Sequence, residues 1–375
     1  MSEYQYYEFQ AIDRPLTEKE QQAVAQLSSR VSPHPRRAVF TYSFGGGLGR
    51  RPEDLLAEYY DAMLYLANWG SRQLAFRFPK SLIDAEQMQQ YNVVTTDYPS
   101  DVVGVYTKGE YVILDIQLYK EEGFGWIEGE GWLDSLVGLR DAILRRDDRL
   151  IYLAWLKGLA LTYDVDQDAL EPPVPPGLGN LTAALDSFVE LFDIDEELLQ
   201  VAAERSAPPA KKVSEDDLAR AIAQLSPGEK DAFLLRLARG EPHLSLALTR
   251  RLGALRGAAP PGTAKRRTVS ELVAAAEALR ETRRRERAAQ AKARRIAELE
   301  ALARRGEAAW QEVDALIQKS QAKAYGQAVQ LLLDLRDLAG HQGQETAFQV
   351  RIEQITAQYQ RRHSLIRRFR GAKLI

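Results

Sequence analysis

From Arg280 to Arg295 the chain reads RETRRRERAAQAKARR, a stretch in which alanine is the only apolar residue. Elsewhere apolar positions recur at intervals that mark strands and amphipathic helices. Tyr4–Ile12 is aromatic-rich and predicts a strand. Thr17-Glu18-Lys19-Glu20 is a capping box that opens a helix toward Val31. Arg37–Phe44 predicts a second strand, and Pro52, followed by Glu53 and Asp54, marks a helix start favoured by the helix dipole. In PEDLLAEYYDAMLYLANW the apolar residues fall at helical spacing, which predicts one long central packing helix. Gln73–Phe78 predicts a strand ended by Pro79. Val102–Tyr106 and Tyr111–Tyr119, joined by TKGE with Gly109, predict a hairpin. Helices are expected over Trp132–Arg145 and Arg149–Tyr163. Strands with helices packed on them, lacking regular βαβ spacing, give an α+β domain over residues 1–170.

Beyond it the periodicity is helical. Residues 171–212 comprise the proline-rich break EPPVPPGLGN, an acidic helical stretch to about Arg205, and the linker SAPPAKK. Residues 213–256 form a small helical segment: Ser214 caps one helix, and Ser226-Pro227-Gly228 starts another through Phe233, Leu234 and Leu237. A second linker, GAAPPGTAKRR, leads into residues 264–305, where the capping box Thr268-x-x-Glu271 fixes the start of a helix running from about Ser270 to Arg305. At ~1.5 Å per residue such a helix extends about 54 Å. A helix polar all round cannot lie in a core; it sits in water, bridges domains or lies on a charged partner. Residues 306–375 predict a helical hairpin with a basic C-terminus. Its first helix is AYGQAVQLLLDLRDLA, its break is at Gly340 and Gly343, and its partner runs from about Thr346 to Arg362. The pattern resembles one tetratricopeptide-like unit, but no second copy supports a solenoid. The expected fold class is thus an α+β N-terminal domain followed by an all-α region with a long charged helix and a terminal helical hairpin.

Charge sharpens this division. Residues 1–210 carry 34 acids and 18 bases (−16), and residues 211–375 carry 19 acids and 32 bases (+13), which together give the net −3. Such asymmetry points to a nucleic-acid or membrane surface on the basic half, or to docking of one half on the other. The chain has no cysteine, which excludes disulfides, thiolate metal sites and a cysteine nucleophile. The polar, acidic start MSEYQYYEFQ lacks a secretory signal pattern. The most apolar stretch, Leu150–Tyr163, is too short to span a bilayer and contains Lys157. A soluble cytoplasmic protein without membrane attachment is expected.

Candidate chemistry is sparse. The glycines of GGGLGR (Gly45–Arg50) precede a helix, as in phosphate loops, but no Gly-Lys-Ser/Thr follows and Glu53 and Asp54 occupy the place of the phosphate. A tight turn fits better. The loop EEGFGWIEGEGW gathers Glu121, Glu122, Glu128 and Glu130 with Trp126 and Trp132. It reads as a solvated connection or acidic docking site, with metal-dependent catalysis as an alternative. DVDQDA starts like a calcium loop but lacks the central glycine and places Pro175 where the bidentate glutamate belongs. The histidines at 34, 243, 341 and 363 share no ligand spacing, and no catalytic triad assembles. No catalytic, metal or cofactor residue is therefore assigned, and no cofactor is expected. Two basic tracts remain as candidate interaction residues: Arg280, Arg283, Arg284, Arg285, Arg287, Arg294 and Arg295 in the long helix, and Arg361, Arg362, Arg367 and Arg368 near the end. Residues 280–305 hold ten bases and four acids. Such tracts bind phosphates through counterion release, yet no interleaved aromatics are placed to stack bases.

The segments YQYYEFQAIDRPLT, YYDAMLYLANWGSRQLAFRFP and LEPPVPPGLG resemble a family of uncharacterised bacterial proteins. The C-terminal half, through EKDAFLLRLARGE, the Arg-rich helix, AYGQAVQLLLDLRDLA and HSLIRRF, is similar to helical tails of bacterial proteins bearing SWIM-type zinc fingers. Lacking cysteine, this chain cannot form their Cys-Cys-Cys-His site. The resemblance implies nucleic-acid or multiprotein work and brings no activity or zinc ligand. The sequence thus favours a non-enzymatic adaptor or scaffold that meets a protein partner or itself through the long helix. The alternatives are a nucleic-acid-binding accessory protein using the basic half, and an enzyme using the 121–130 loop.

Overall fold

The computed structural model describes residues 4–28, 31, 33–43, 47–93, 102–118, 127–161, 166, 168–209, 213–256 and 266–375. The chain divides into two compact units, Met1–Ala278 and Leu279–Ile375.

The first unit is organised around six antiparallel strands: β1 (Tyr4–Gln10), β2 (Arg37–Ser43), β3 (Ala62–Ala67), β4 (Arg72–Pro79), β5 (Val103–Lys108) and β6 (Tyr111–Leu118), in the order β2-β1-β3-β4-β6-β5. The β5–β6 turn is two residues long, Lys108 facing Tyr111, and Gly109 takes the positive φ of 57° that so tight a turn requires. α1 (Glu18–Ala25) carries the expected capping box, Thr17 and Glu20 each accepting from the other's backbone N–H. α2 (Pro52–Tyr59) packs on β3 and β4; α3 (Ala85–Gln89) packs on β5. α4 (Trp132–Leu136) contacts β3, and α5 (Gly138–Leu144) continues after a break at Val137. α6 (Arg149–Leu161) has ten buried residues and packs on β5. The acidic stretch forms two helices, α7 (Ala183–Phe192) and α8 (Glu196–Ala203), and the small helical segment forms α9 (Glu215–Ala223), α10 (Pro227–Ala238) and α11 (Leu244–Arg256).

One element differs in kind from its sequence pattern. The helix predicted across residues 52–69 ends at Tyr59, and Ala62–Ala67 is the strand paired with both β1 and β4. Met63 belongs to the core that includes Phe9, Phe40, Leu55 and Leu56, while Leu64 and Leu66, on the opposite face, are also fully buried. A strand covered on both faces has no polar alternation to reveal its period.

Gly129 illustrates how closely the connections fit. A Cβ there would lie 2.2 Å from the Tyr6 ring, and that ring is held by a 2.7 Å hydrogen bond from its hydroxyl to Glu8. Gly129→Ala should cost about 1–3 kcal/mol by overpacking; an unchanged denaturation midpoint would show that the ring can move aside.

The helix α12 (Val269–Arg305, 37 residues) begins in the first unit and continues in the second. Thr268 and Glu271 cap its start as expected, Thr268 N–H donating to Glu271 and Glu271 N–H to Thr268 Oγ1. The second unit adds α13 (Glu307–Gln318), α14 (Ala322–Gln342), α15 (Glu345–Gln358) and α16 (His363–Gly371). The α14–α15 hairpin turns at Gly343, which is left-handed and satisfies Ala339 and Gly340. Helices α13 and α16 also pack on α14, around a core including Leu302, Val313, Ile317, Leu332, Ile352, Leu365 and Phe369.

Candidate interaction surface

Helix α12 is packed at its ends and bare between them. Val269, Leu272 and Ala276 are buried near its start, and Leu299 and Leu302 near its finish. Every residue from Arg284 to Arg294 is exposed. A buried ion pair fastens the entry: Arg267 donates to Glu171 at 2.6 and 2.9 Å, Tyr152 donates its hydroxyl to the same carboxylate, and Arg266 donates to the Glu171 carbonyl at 2.6 Å. The N–H of Val269 reaches the Ala169 carbonyl at 2.9 Å. These contacts orient the first turn of the helix within its unit.

The arginines of the bare stretch largely pair along the helix. Arg284 and Arg285 reach back to Glu281 at 3.2 and 2.8 Å, and Arg294 reaches forward to Glu298 at 3.2 Å. Their side chains nonetheless remain 80, 77 and 84% exposed, so these pairs are weak and solvated. Arg295 bridges Asp334 and Asp337 of α14 at 2.8 and 2.7 Å, which fixes it within the second unit. Arg280 and Arg283 are engaged as well. Arg287 has no ion pair among the described residues.

The second tract separates into two kinds of residue. Arg362 is structural in its surroundings: it donates to the Ile317 carbonyl at 2.5 Å, to Ser320 at 2.9 Å and to Tyr325 at 3.2 Å, and lies 5.1 Å from the Tyr359 ring centre. Arg361, Arg367 and Arg368 are exposed. In α16 the buried Leu365 and Phe369 occupy one side, and His363, Arg367 and Arg370 share another through their i, i+4, i+7 spacing. That stripe has no ion pair among the described residues. Arg370 falls within the basic tract 361–373 of the sequence, and its place in the helical repeat groups it with His363 and Arg367.

Other candidates resolve into structural groups. Asp61 Oδ2 accepts the N–H groups of Ile12 and Asp13 at 2.7 and 2.9 Å, and its Oδ1 accepts from Arg77 at 2.9 Å. Arg140 grips both oxygens of Asp13 at 2.8 and 2.7 Å and donates to the Arg77 carbonyl at 2.9 Å. His243 lies 3.2 Å from Asp13. Every strong group here has its partner, and the network ties separate segments together. Burial pushes Asp115 up to about 7, against the lowering effect of the Gln73 and Gln117 amides that donate to it at 2.9 and 2.6 Å. Burial likewise pushes Asp148 up to about 6. Asp148 lines a recess of about 20 Å³ with Gln87, Arg146 and Arg250, room for a water molecule rather than an organic substrate.

Glu121, Glu122 and Trp126 of the acidic loop lie outside the described residues, as do Gly45 and Gly46 of the glycine run and Asp164, Val165 and Gln167 of DVDQDA. Glu128 and Glu130 are exposed. Among the described residues no three histidines or carboxylates gather as a metal site, and no helix is long and apolar enough to cross a membrane. Compared with family models, curated proteins and solved structures, the chain matches none.

Proposed function

We propose that this chain is a non-enzymatic cytoplasmic adaptor whose long charged helix receives an acidic protein partner. The supporting observation is the run from Arg284 to Arg294, exposed at each position while both ends of the same helix are packed. An arginine in a solvated intrahelical pair retains donors for a second carboxylate, and its charge steers encounter with an acidic surface. The bare stretch buries nothing of its own, so it can be covered without repacking a core.

A second reading is favoured by the stripe His363–Arg367–Arg370 on α16, which has no ion pair among the described residues and whose spacing suits successive phosphates of a nucleic acid. One experiment separates the two. With full-length chain as bait in extract of the native host, alanine at Arg283, Arg284, Arg285 and Arg287 together should reduce capture of a defined acidic partner at least about tenfold. It should leave the thermal midpoint nearly unchanged. Undiminished capture by that variant overturns the adaptor reading. Binding to duplex or single-stranded nucleic acid that falls steeply between ~50 and ~200 mM salt, and is lost when Arg361, Arg367 and Arg370 become alanine, would install the second.

A further inference from the structure

One amide joins two acids where α2 meets the sheet. Gln73 of β4 donates from Nε2 to Glu53 Oε1 at 2.8 Å and to Asp115 Oδ1 at 2.9 Å. An amide nitrogen carries two hydrogens, so each acid takes one and none is left over. The other oxygen of Asp115 accepts from Gln117 at 2.6 Å. Around Asp115 stand Glu53 and Arg51 from α2, Tyr106 from β5, Gln73 from β4 and Gln117 from its own strand. Arg51 lies 3.4 Å from Glu53 Oε2, but its side chain is 78% exposed and offsets little of the acids' charge.

Glu53 belongs to an uncapped turn. Helix α2 starts with Pro52, and its N-cap residue Arg51 makes no side-chain cap bond. Leu55 and Leu56 are fully buried and pin the middle of the helix. Ahead of them, the first turn is tied to the sheet by Glu53 on Gln73 and by Asp54 on Lys108 of β5. Lys108 holds the Asp54 carboxyl below its ordinary value, so that tie is unchanged through the neutral range. The Glu53 tie shares its donor with Asp115, and two negative charges on one amide disfavour each other. The charge state of Asp115 therefore bears directly on how Glu53 is held.

We propose that Asp115 is the proton sensor of a clasp on α2: when neutral it leaves Gln73 to hold the first turn on the sheet, and when ionised it lifts that turn about Leu55. Lifting separates the two acids and admits water to the buried charge, and an ionised Asp115 favours both. Burial sets its closed value at about 7. A carboxyl in contact with water returns to about 3.9. Between those values opening releases a proton, so the open population grows about tenfold per pH unit, and above about 7 it is constant. Acidification closes the clasp. The device lies in α2, β4 and β6 and does not depend on the adaptor reading.

Hydrogen exchange of the full-length chain, read by mass spectrometry from about pH 4 to pH 8 and corrected for the intrinsic rate, tests this. The amides of Leu56 and Ala57 bond carbonyls of the first turn and report its opening. Their protection should fall about tenfold per pH unit up to about 7 and level off above it. It should stay below that of β1 and β3 throughout, because the turn lifts without unfolding the sheet. Asp115→Asn cannot ionise, and in that variant the fall should vanish. Glu53→Gln keeps a partner for Gln73 but removes the second charge, so the fall should end at a lower pH than in the wild type. Four results would overturn the proposal. They are α2 protection independent of pH in the wild type, a fall that persists in Asp115→Asn, a fall unchanged in Glu53→Gln, and α2 amides that open only together with those of β1 and β3.

Discussion

Arg140→Ala should lower the unfolding free energy by about 3–5 kcal/mol, the range for removing one partner from a buried ion pair. Arg140 is 1% exposed and holds both oxygens of Asp13, with Asp61 3.7 Å away. Without it, Asp13 loses its bidentate partner, the Arg77 carbonyl loses a donor, and Asp61 is left with Arg77 and two backbone amides. Urea unfolding followed by tryptophan fluorescence measures the change, because Trp69, Trp126, Trp132 and Trp155 all precede residue 278 and only Trp310 follows it. Arg140→Met separates packing from charge. It refills much of the space, so a methionine variant as stable as the wild type would show that the side chain acts by volume alone. A loss under about 1 kcal/mol for alanine, the scale of an exposed pair, would show that water reaches the cluster.

The second large effect depends on pH. Asp115 lies in β6, 4% exposed, and burial raises its carboxyl to about 7. A carboxyl that binds its proton more tightly when folded favours the native state at low pH. Stability should therefore fall as pH rises above the unfolded value of about 3.9, with the loss complete a little above 7. Three pK units correspond to at most about 4 kcal/mol. Other groups titrate over the same window, so the quantity to follow is the difference between wild type and Asp115→Asn. The asparagine variant keeps a neutral group beside Gln73 and Gln117, with the Gln117 amide turned to accept. Relative to wild type it should gain stability steadily between pH 4 and pH 8. A difference that stays flat across this range would place a compensating cation or water beside Asp115.

Local signals carried much of this architecture. The capping boxes read at Thr17 and Thr268 depend on side chains three residues apart, and the structure forms both; Ser226, read as a helix start, forms a third with Glu229. The β5–β6 hairpin was equally legible, because Gly109 and its flanking apolar runs are contiguous in sequence. What escaped depends on distant partners. The strand β3 follows α2 after two residues, with apolar side chains on both of its faces, and a helical reading satisfies the same letters. Asp61, which sits at that junction, is held by Ile12, Asp13 and Arg77, and no local pattern announces them. The same limit applies at the surface. Arg362 and Arg367 look alike in sequence, yet only Arg362 meets Ile317, Ser320 and Tyr325. Leu234 and Leu237 marked α10 correctly as a helix, but they remain exposed, and it is Glu229 that meets Arg251 of α11.

The middle of α12 also has a consequence for how the chain can change. Starting a helix is the unfavourable step, and adding residues to one already begun is nearly neutral or favourable for good helix formers. Packed turns at both ends of α12 supply the nuclei, so residues 284–294 have only to propagate what exists. Alanine, arginine, lysine, glutamine and glutamate all do so with little difference among them. Proline, by blocking a hydrogen bond, and glycine, by its greater freedom, are the residues such a stretch resists. Within that restriction its letters can be exchanged without disturbing either core, so the charge pattern this stretch presents is free to change one substitution at a time.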